Sequence, residues 1–220
     1  MRPASISIGR RGTLMLTAAA AGATLVRWPA RAATAGGGNA ALFAPVTALN
    51  NALIASMRSG STMSFAQRYQ MLEPVIDRVF NLNAVLAASI GLSWARIPDA
   101  QKTTLAAAFR RYTVSSYVAN FNSYNGQTFD ILPDTRALSS GQVVVQTRLI
   151  RRTESPVKLD YVMRSGPAGW QIVDVLTDGT ISRVAVQRSD FQQLLRSGGV
   201  AALTSGLERK VGNLSGSMQG

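Results

Sequence analysis

The sequence predicts an α+β chain in which helices precede and follow a four-stranded, mainly antiparallel sheet. Three observations carry the prediction. Apolar residues recur at helical spacing between residues 41 and 121, the period drops to two between residues 128 and 176, and helical spacing returns as far as residue 214. Only turns separate the strand-like runs. They are too short for the dozen or so residues of a parallel crossover, so the sheet is expected to be antiparallel.

A distinct segment stands before these elements. Arg10 and Arg11 precede the alanine-rich apolar stretch 12–26, and Ala30-Arg31-Ala32 and Ala33-Thr34-Ala35 both offer the small-x-small pattern of a signal cleavage site. Residues 1–35 are therefore expected to be a cleaved export signal and residues 36–220 a single domain. The arginine pair suggests the twin-arginine route, while the basic residues near Arg31 suit either route. A membrane anchor is the competing reading, but 15 residues fall short of the roughly 20 needed to span a hydrocarbon core. No later stretch reads as long and apolar enough to do so.

The chain has 23 Lys and Arg against 11 Asp and Glu, a formal charge of +12. Residues 1–35 hold five of the arginines and no acid, which leaves 18 basic and 11 acidic side chains, or +7, on the body. Zero cysteine means that an oxidising compartment contributes no disulfide. Zero histidine removes the side chain most easily used as a base near neutral pH.

The first helix is expected over LFAPVTALNNALIASM, after a linker-like TAGGGNA at 34–40 and before the break at Arg58-Ser59-Gly60-Ser61. Phe65, Tyr69, Leu72, Ile76 and Phe80 then mark a second helix, with Val75 and Val79 on an adjoining face. Ser64 is placed to cap it and Pro74 to kink or divide it. NLNAVLAASIG reads as a short helix ending near Gly91. Asp99 is expected to cap a long helix over residues 99–121, with Leu105, Phe109, Tyr112, Ser116 and Tyr117 near one face, Phe121 extending it, and Arg110 and Arg111 flanking it.

TFDIL, VVVQTRLIR, PVKLDYVMR and WQIVDVL are the four strands. In the third, Val157, Leu159, Tyr161 and Met163 alternate with Lys158, Asp160, Val162 and Arg164. In the fourth, Val173 and Val175 are set opposite Trp170, Ile172, Asp174 and Leu176. Asp178-Gly179 is expected to leave this strand, with Thr180 capping the helical segment that follows. There Val200, Leu203, Leu207, Val211 and Leu214 form the clearest stripe.

Chemistry finds little support. Asp160, Asp174 and Asp178, near Arg148 and Lys158 in sequence, have no catalytic spacing, so a small hydrolase is disfavoured and the chain is expected not to be an enzyme. No metal or other cofactor is expected: the acids are dispersed, DGTISRVAVQRS lacks the successive oxygen ligands of a calcium loop, and no glycine-rich loop leads into a lysine. The basic residues are spread over helices and strands, and export removes the chain from cytoplasmic nucleic acid, so no nucleic-acid partner is expected. What remains is an apolar function. The aromatic residues fit either a packed core, as in an envelope protein-interaction module without cargo, or a hollow one, as in an exported lipid carrier. Periodicity does not separate the two.

YQMLEPVIDRVFNLNAVLAASIGLSW at 69–94, FRRYTVSSYVANFNSYNGQTFDI at 109–131 and GWQIVDVLTDGTISRVAVQRSDFQQLLRSGGVAALTSGLERKV at 169–211 resemble the MlaC family of periplasmic phospholipid-transport proteins, which includes toluene-tolerance proteins. DGTISRVAVQRSDF is more similar to the hopanoid-associated HpnM branch. Ser93, Ile97 and the DGT turn depart from the usual family wording. The resemblance implies a twisted sheet packed with helices around a deep apolar cavity. It also implies a monomer in the periplasm that shuttles phospholipid or hopanoid between an outer-membrane lipoprotein or donor complex and an inner-membrane MCE-type transporter, with bound lipid as cargo. By matching segments, Val75, Val79, Phe80, Phe109, Tyr112, Val114, Tyr117, Val118, Phe121, Tyr161, Val173 and Val175 are candidates for the cavity wall or its support. Arg110, Arg111, Arg148, Lys158 and Arg164 are candidates for headgroup or membrane contacts.

Overall fold

The structure, a computed structural model, describes residues 35–216, with side chains from residue 39 onward. Residues 1–34 of the expected export signal, including Arg10-Arg11 and Ala30-Arg31-Ala32, lie outside the described residues. Helix α1 (Ala35–Arg58) takes in the stretch expected to be a linker. Contrary to expectation, its Asn39–Arg58 portion is long and apolar enough, by length and composition, to cross a membrane. Leu42, Val46, Leu49, Leu53 and Met57, spaced at one helical face, are nevertheless buried against the rest of the protein. Each such side chain contributes about 1.5–3 kcal/mol on burial, so α1 acts as a core helix.

Helix α2 (Phe65–Val79) starts at a reciprocal cap: the Ser64 hydroxyl accepts from the Gln67 amide, and the Gln67 side chain accepts from the Ser64 amide. It stays one helix across Pro74, which was expected to kink or divide it. Helix α3 (Leu82–Ile90) is capped by Asn81 and closed by Gly91, whose φ of 72° suits glycine. A 3-10 turn (Gly91–Arg96) leads to α4 (Asp99–Asn120). Pro98, not Asp99, occupies the cap position. Asp99 is the first helical residue and pairs with Lys102 at 3.0 Å.

Strands β1 (Thr128–Ala137), β2 (Val143–Ile150), β3 (Val157–Gly166), β4 (Gly169–Thr177) and β5 (Ile181–Ser182) form one antiparallel sheet in sequence order. The additional strand β5 changes the reading of Asp178-Gly179. Asp178 (φ 54°) and Gly179 (φ 76°) are the two positive-φ corners of a tight hairpin between β4 and β5. Thr180 is therefore part of the turn, and Ser182 caps α5 (Arg183–Gly216), its hydroxyl accepting from the Ala185 amide at 2.9 Å. Helix α5 breaks at Gly198-Gly199. Its halves fold together, with Gly206 against Leu194 and Lys210 facing Asp190 at 3.7 Å.

The β3–β4 register slips between Val162 and Met163: Val162 pairs with Asp174, but Met163 pairs with Ile172. Val173 is the extra residue of a bulge, which reverses the expected parity of β4 before it and leaves Val175 inward as expected. Ile172 joins Tyr161 and Met163 in the main core, whereas Val173 packs with Val144 and Val162, which alternate with the inward Val145 and Tyr161.

Two main cores result. Side chains of α1, α2 and the sheet pack around Val114 and Val118 of α4. Those of α3 and α5 pack around Leu105, Ala108 and Phe109 of the same helix. The C-terminal, carbonyl end of α4 is held by its neighbours: buried Arg68 donates to the Val118 carbonyl at 3.1 Å, and Ser56 to that of Phe121 at 3.1 Å. Gly60 permits this approach, since a Cβ there would lie 1.7 Å from the Asn122 carbonyl oxygen. Gly60→Ala is expected to cost about 2–3 kcal/mol in urea unfolding, while Gly166→Ala, at a site open to solvent, changes stability by less than about 0.5 kcal/mol.

Candidate functional site

A cavity of about 330 Å³ lies between α4 and the inward side chains of β2–β4. That volume falls among ordinary small-molecule pockets. On α4 it is lined by Phe109, Tyr112, Thr113, Ser116, Tyr117, Asn120 and the capping Phe121, a run spaced by three and four residues that shares one helix face. Leu149, Val157, Leu159, Tyr161, Val175 and Thr177 supply the sheet side. Leu82 and Val85 of α3 and Arg183, Val184 and Gln187 of α5 close it, and its lining reaches solvent at the exposed Asn120 and Arg183.

Local chemistry keeps the wall apolar. The Thr113 hydroxyl donates to the Phe109 carbonyl at 2.9 Å and the Ser116 hydroxyl to that of Tyr112 at 2.8 Å, so both are taken up by their own helix. Aromatic rings line one end: Phe80 lies 5.7 Å from Tyr117, which stacks on Phe121 at 5.9 Å. Phe80 is placed there because the α2–α3 junction is stitched to β4, with the Asn81 amide donating to the Ile172 carbonyl at 2.9 Å.

Asp174 also lines the cavity, yet its carboxylate is occupied. It accepts from the amides of Val175 at 2.8 Å and Val184 at 3.0 Å and from the Ser182 hydroxyl, tying the start of α5 to β4. Asp160 is buried and accepts from the Thr147 amide at 3.2 Å, and Asp178 turns the hairpin. The three acids thus hold backbone in separate places. Among the described residues no group of three acidic side chains could hold a metal ion.

Of the sequence candidates, Phe80, Phe109, Tyr112, Tyr117, Phe121, Tyr161 and Val175 are brought to the cavity. Val79, Val114 and Val118 are buried behind it in the first core, with Val75 half-buried against them, and Val173 is withdrawn by the bulge. None of the five basic candidates lines the cavity. Arg110 forks to Asp77 at 2.7 Å and to Glu73, Arg111 meets Glu208 at 3.1 Å, and Arg148, Lys158 and Arg164 are exposed on the sheet. Arg148 and Lys158 pair in register and alternate with the inward Leu149 and Val157. The cation at the cavity is Arg183, which sequence reasoning missed. Its only signal is its place directly after the strand that follows Asp178-Gly179.

Burial raises the pKa of Tyr161 well above the phenol value of 10, with a further contribution from Tyr117. Burial also raises that of Tyr117, opposed by the charge of Arg183. Below pH 10 both phenols are neutral in the folded and unfolded chains, and their contribution to stability is complete. As pH rises past 10 the unfolded chain ionises first, and stability falls. The urea midpoint is expected to drop between about pH 9 and pH 11, and to drop less in Tyr161→Phe.

Residues 47–209 match the MlaC protein family. The fold is similar to that of a phospholipid-binding protein from Ralstonia solanacearum, solved in complex with a phospholipid. The TM-score is 0.68 at 21% sequence identity, over 79% of this chain and 98% of that one. The match extends from α1 through most of α5 and takes in every element around the cavity. The chain therefore belongs to the MlaC family of periplasmic, non-catalytic lipid-binding transport proteins.

Proposed function

We propose that the protein is an exported lipid shuttle. In this reading residues 1–35 direct export, and residues 36–220, as a monomer, carry phospholipid or hopanoid between an outer-membrane donor complex and an inner-membrane MCE-type transporter. The observation that carries it is the solvent-reaching, apolar cavity between α4 and the sheet. Burying one CH₂ is worth about 0.8 kcal/mol relative to water, so the 25–30 such groups of a diacyl lipid represent on the order of 20 kcal/mol before costs. A bilayer offers nearly the same. The carrier thus has only to match the membrane while covering the tails in transit, and small differences at docking set direction.

The phospholipid complex of the Ralstonia solanacearum protein supports a diacyl cargo. The wording DGTISRVAVQRSDF supports a hopanoid, whose rings fill space differently. Arg183, at the cavity lining, is suited to attract an anionic head, and the exposed Arg148, Lys158 and Arg164 to meet an anionic membrane surface, with strengths that salt reduces. Native mass spectrometry and lipid extraction of the purified mature protein test the proposal. Copurifying phospholipid or hopanoid is expected and identifies the cargo. A lipid-free protein that takes up neither from vesicles would instead fit an interaction module. Leu159→Glu sets a charge in the sheet wall and is expected to cut bound lipid more than about tenfold, with the melting temperature reporting whether the fold persists.

A further inference from the structure

We infer that the cavity contains a recognition site for a neutral hydrogen-bond acceptor oxygen on the cargo, formed by the phenol hydroxyls of Tyr117 and Tyr161. The inference rests on the lipid-carrier reading and deepens it. Tyr161 is only 1% exposed, lines the cavity, and sits in register between Val145 and Val175. Tyr117 faces the same space from α4, its ring held between Phe80 and Phe121. Neither hydroxyl hydrogen-bonds another described residue, and neither is sealed within the packing: both open onto the cavity. Thr113 and Ser116 beside them satisfy their hydroxyls on their own helix, which a tyrosine hydroxyl at the far end of its ring cannot reach.

An unpartnered hydroxyl in an apolar setting costs free energy that phenylalanine would avoid. Two tyrosines facing one cavity therefore call for a partner that arrives with the ligand. Burial keeps both phenols protonated, and hence able to donate, across the physiological range. Arg183 lies close enough for its charge to act on Tyr117, so the local field favours an electron-rich oxygen over a second donor. An ester carbonyl of a diacylglycerol-type lipid and a hydroxyl of a polycyclic alcohol share this chemistry, whereas a bare hydrocarbon lacks it.

Two matched ligand pairs test the site on delipidated mature protein. The first is an ester-linked phosphatidylglycerol and its ether-linked counterpart of equal chain length. The second is a hydroxylated pentacyclic triterpenoid and its deoxy parent. In at least one pair the member with the ester carbonyl or ring hydroxyl is expected to bind about tenfold more tightly, and the pair that discriminates identifies the source of the acceptor. Tyr117→Phe with Tyr161→Phe is expected to abolish the preference, so that the two members of each pair bind equally. Equal binding within both pairs by the wild-type protein would overturn the inference and leave the carrier reading intact, as would a preference that survives in the double variant. Failure to bind any of the four ligands would overturn both. The wild-type comparison decides the matter even if the double variant does not fold.

Discussion

Helix α4 belongs to two cores at once, and the cavity is the consequence. Val114 and Val118 are drawn into the packing of α1, α2 and the sheet, while Leu105, Ala108 and Phe109 are drawn toward α3 and α5. The stripe running on from Phe109 through Tyr112, Ser116 and Tyr117 continues past the second core, with Tyr112 packed at the edge of that core and Tyr117 against the first. It faces the sheet across a gap. Protein interiors otherwise pack at the density of organic crystals, and a gap of this size persists only if its walls are held apart.

The restraints act at the middle and at the C-terminal end of the helix. Arg68 and Ser56 hold its final carbonyls, and the Arg110 fork to Glu73 and Asp77 fixes α4 against α2. Arg110 is partly exposed, so its ion pairs are screened, but the planar fork still sets orientation. Across the gap, the carboxylate of Asp174 reaches the start of α5 and holds Val184 and Arg183 at the cavity. Polar groups thus do the positioning while apolar groups form the surface offered to a ligand. A chain without cysteine holds this open arrangement by packing, hydrogen bonds and ion pairs, with no disulfide.

The helices and the antiparallel sheet were legible because they depend on local periodicity. The inward parity of Val157, Leu159 and Tyr161 could be read for the same reason. Val173 could not, because period-two alternation assumes an unbroken ladder, and the β3–β4 bulge shifts every inward residue before it. From sequence alone the cap is assigned to Thr180, whereas the structure gives it to Ser182. Only the positive φ of Asp178 and Gly179 makes a hairpin that spends Thr180 in the turn. Aromatic spacing placed Phe109, Tyr112, Tyr117 and Phe121 near one face of α4, but whether that face meets a neighbour or a space depends on where two cores pull the helix. Arg183 was hidden for a related reason: its role comes from the contact between α5 and β4, not from its neighbours in sequence.

Photolabelling tests the central claim most directly. A diacyl lipid carrying a diazirine midway along one tail can be exchanged into the purified mature protein, irradiated, and its attachment sites mapped by mass spectrometry. Labels concentrated on Phe109, Tyr117, Leu149, Leu159 and Val175, from both walls of the gap, are the predicted result. Labels confined to the outer faces of α1, α5 or the sheet, with those five residues unmodified, would contradict the account.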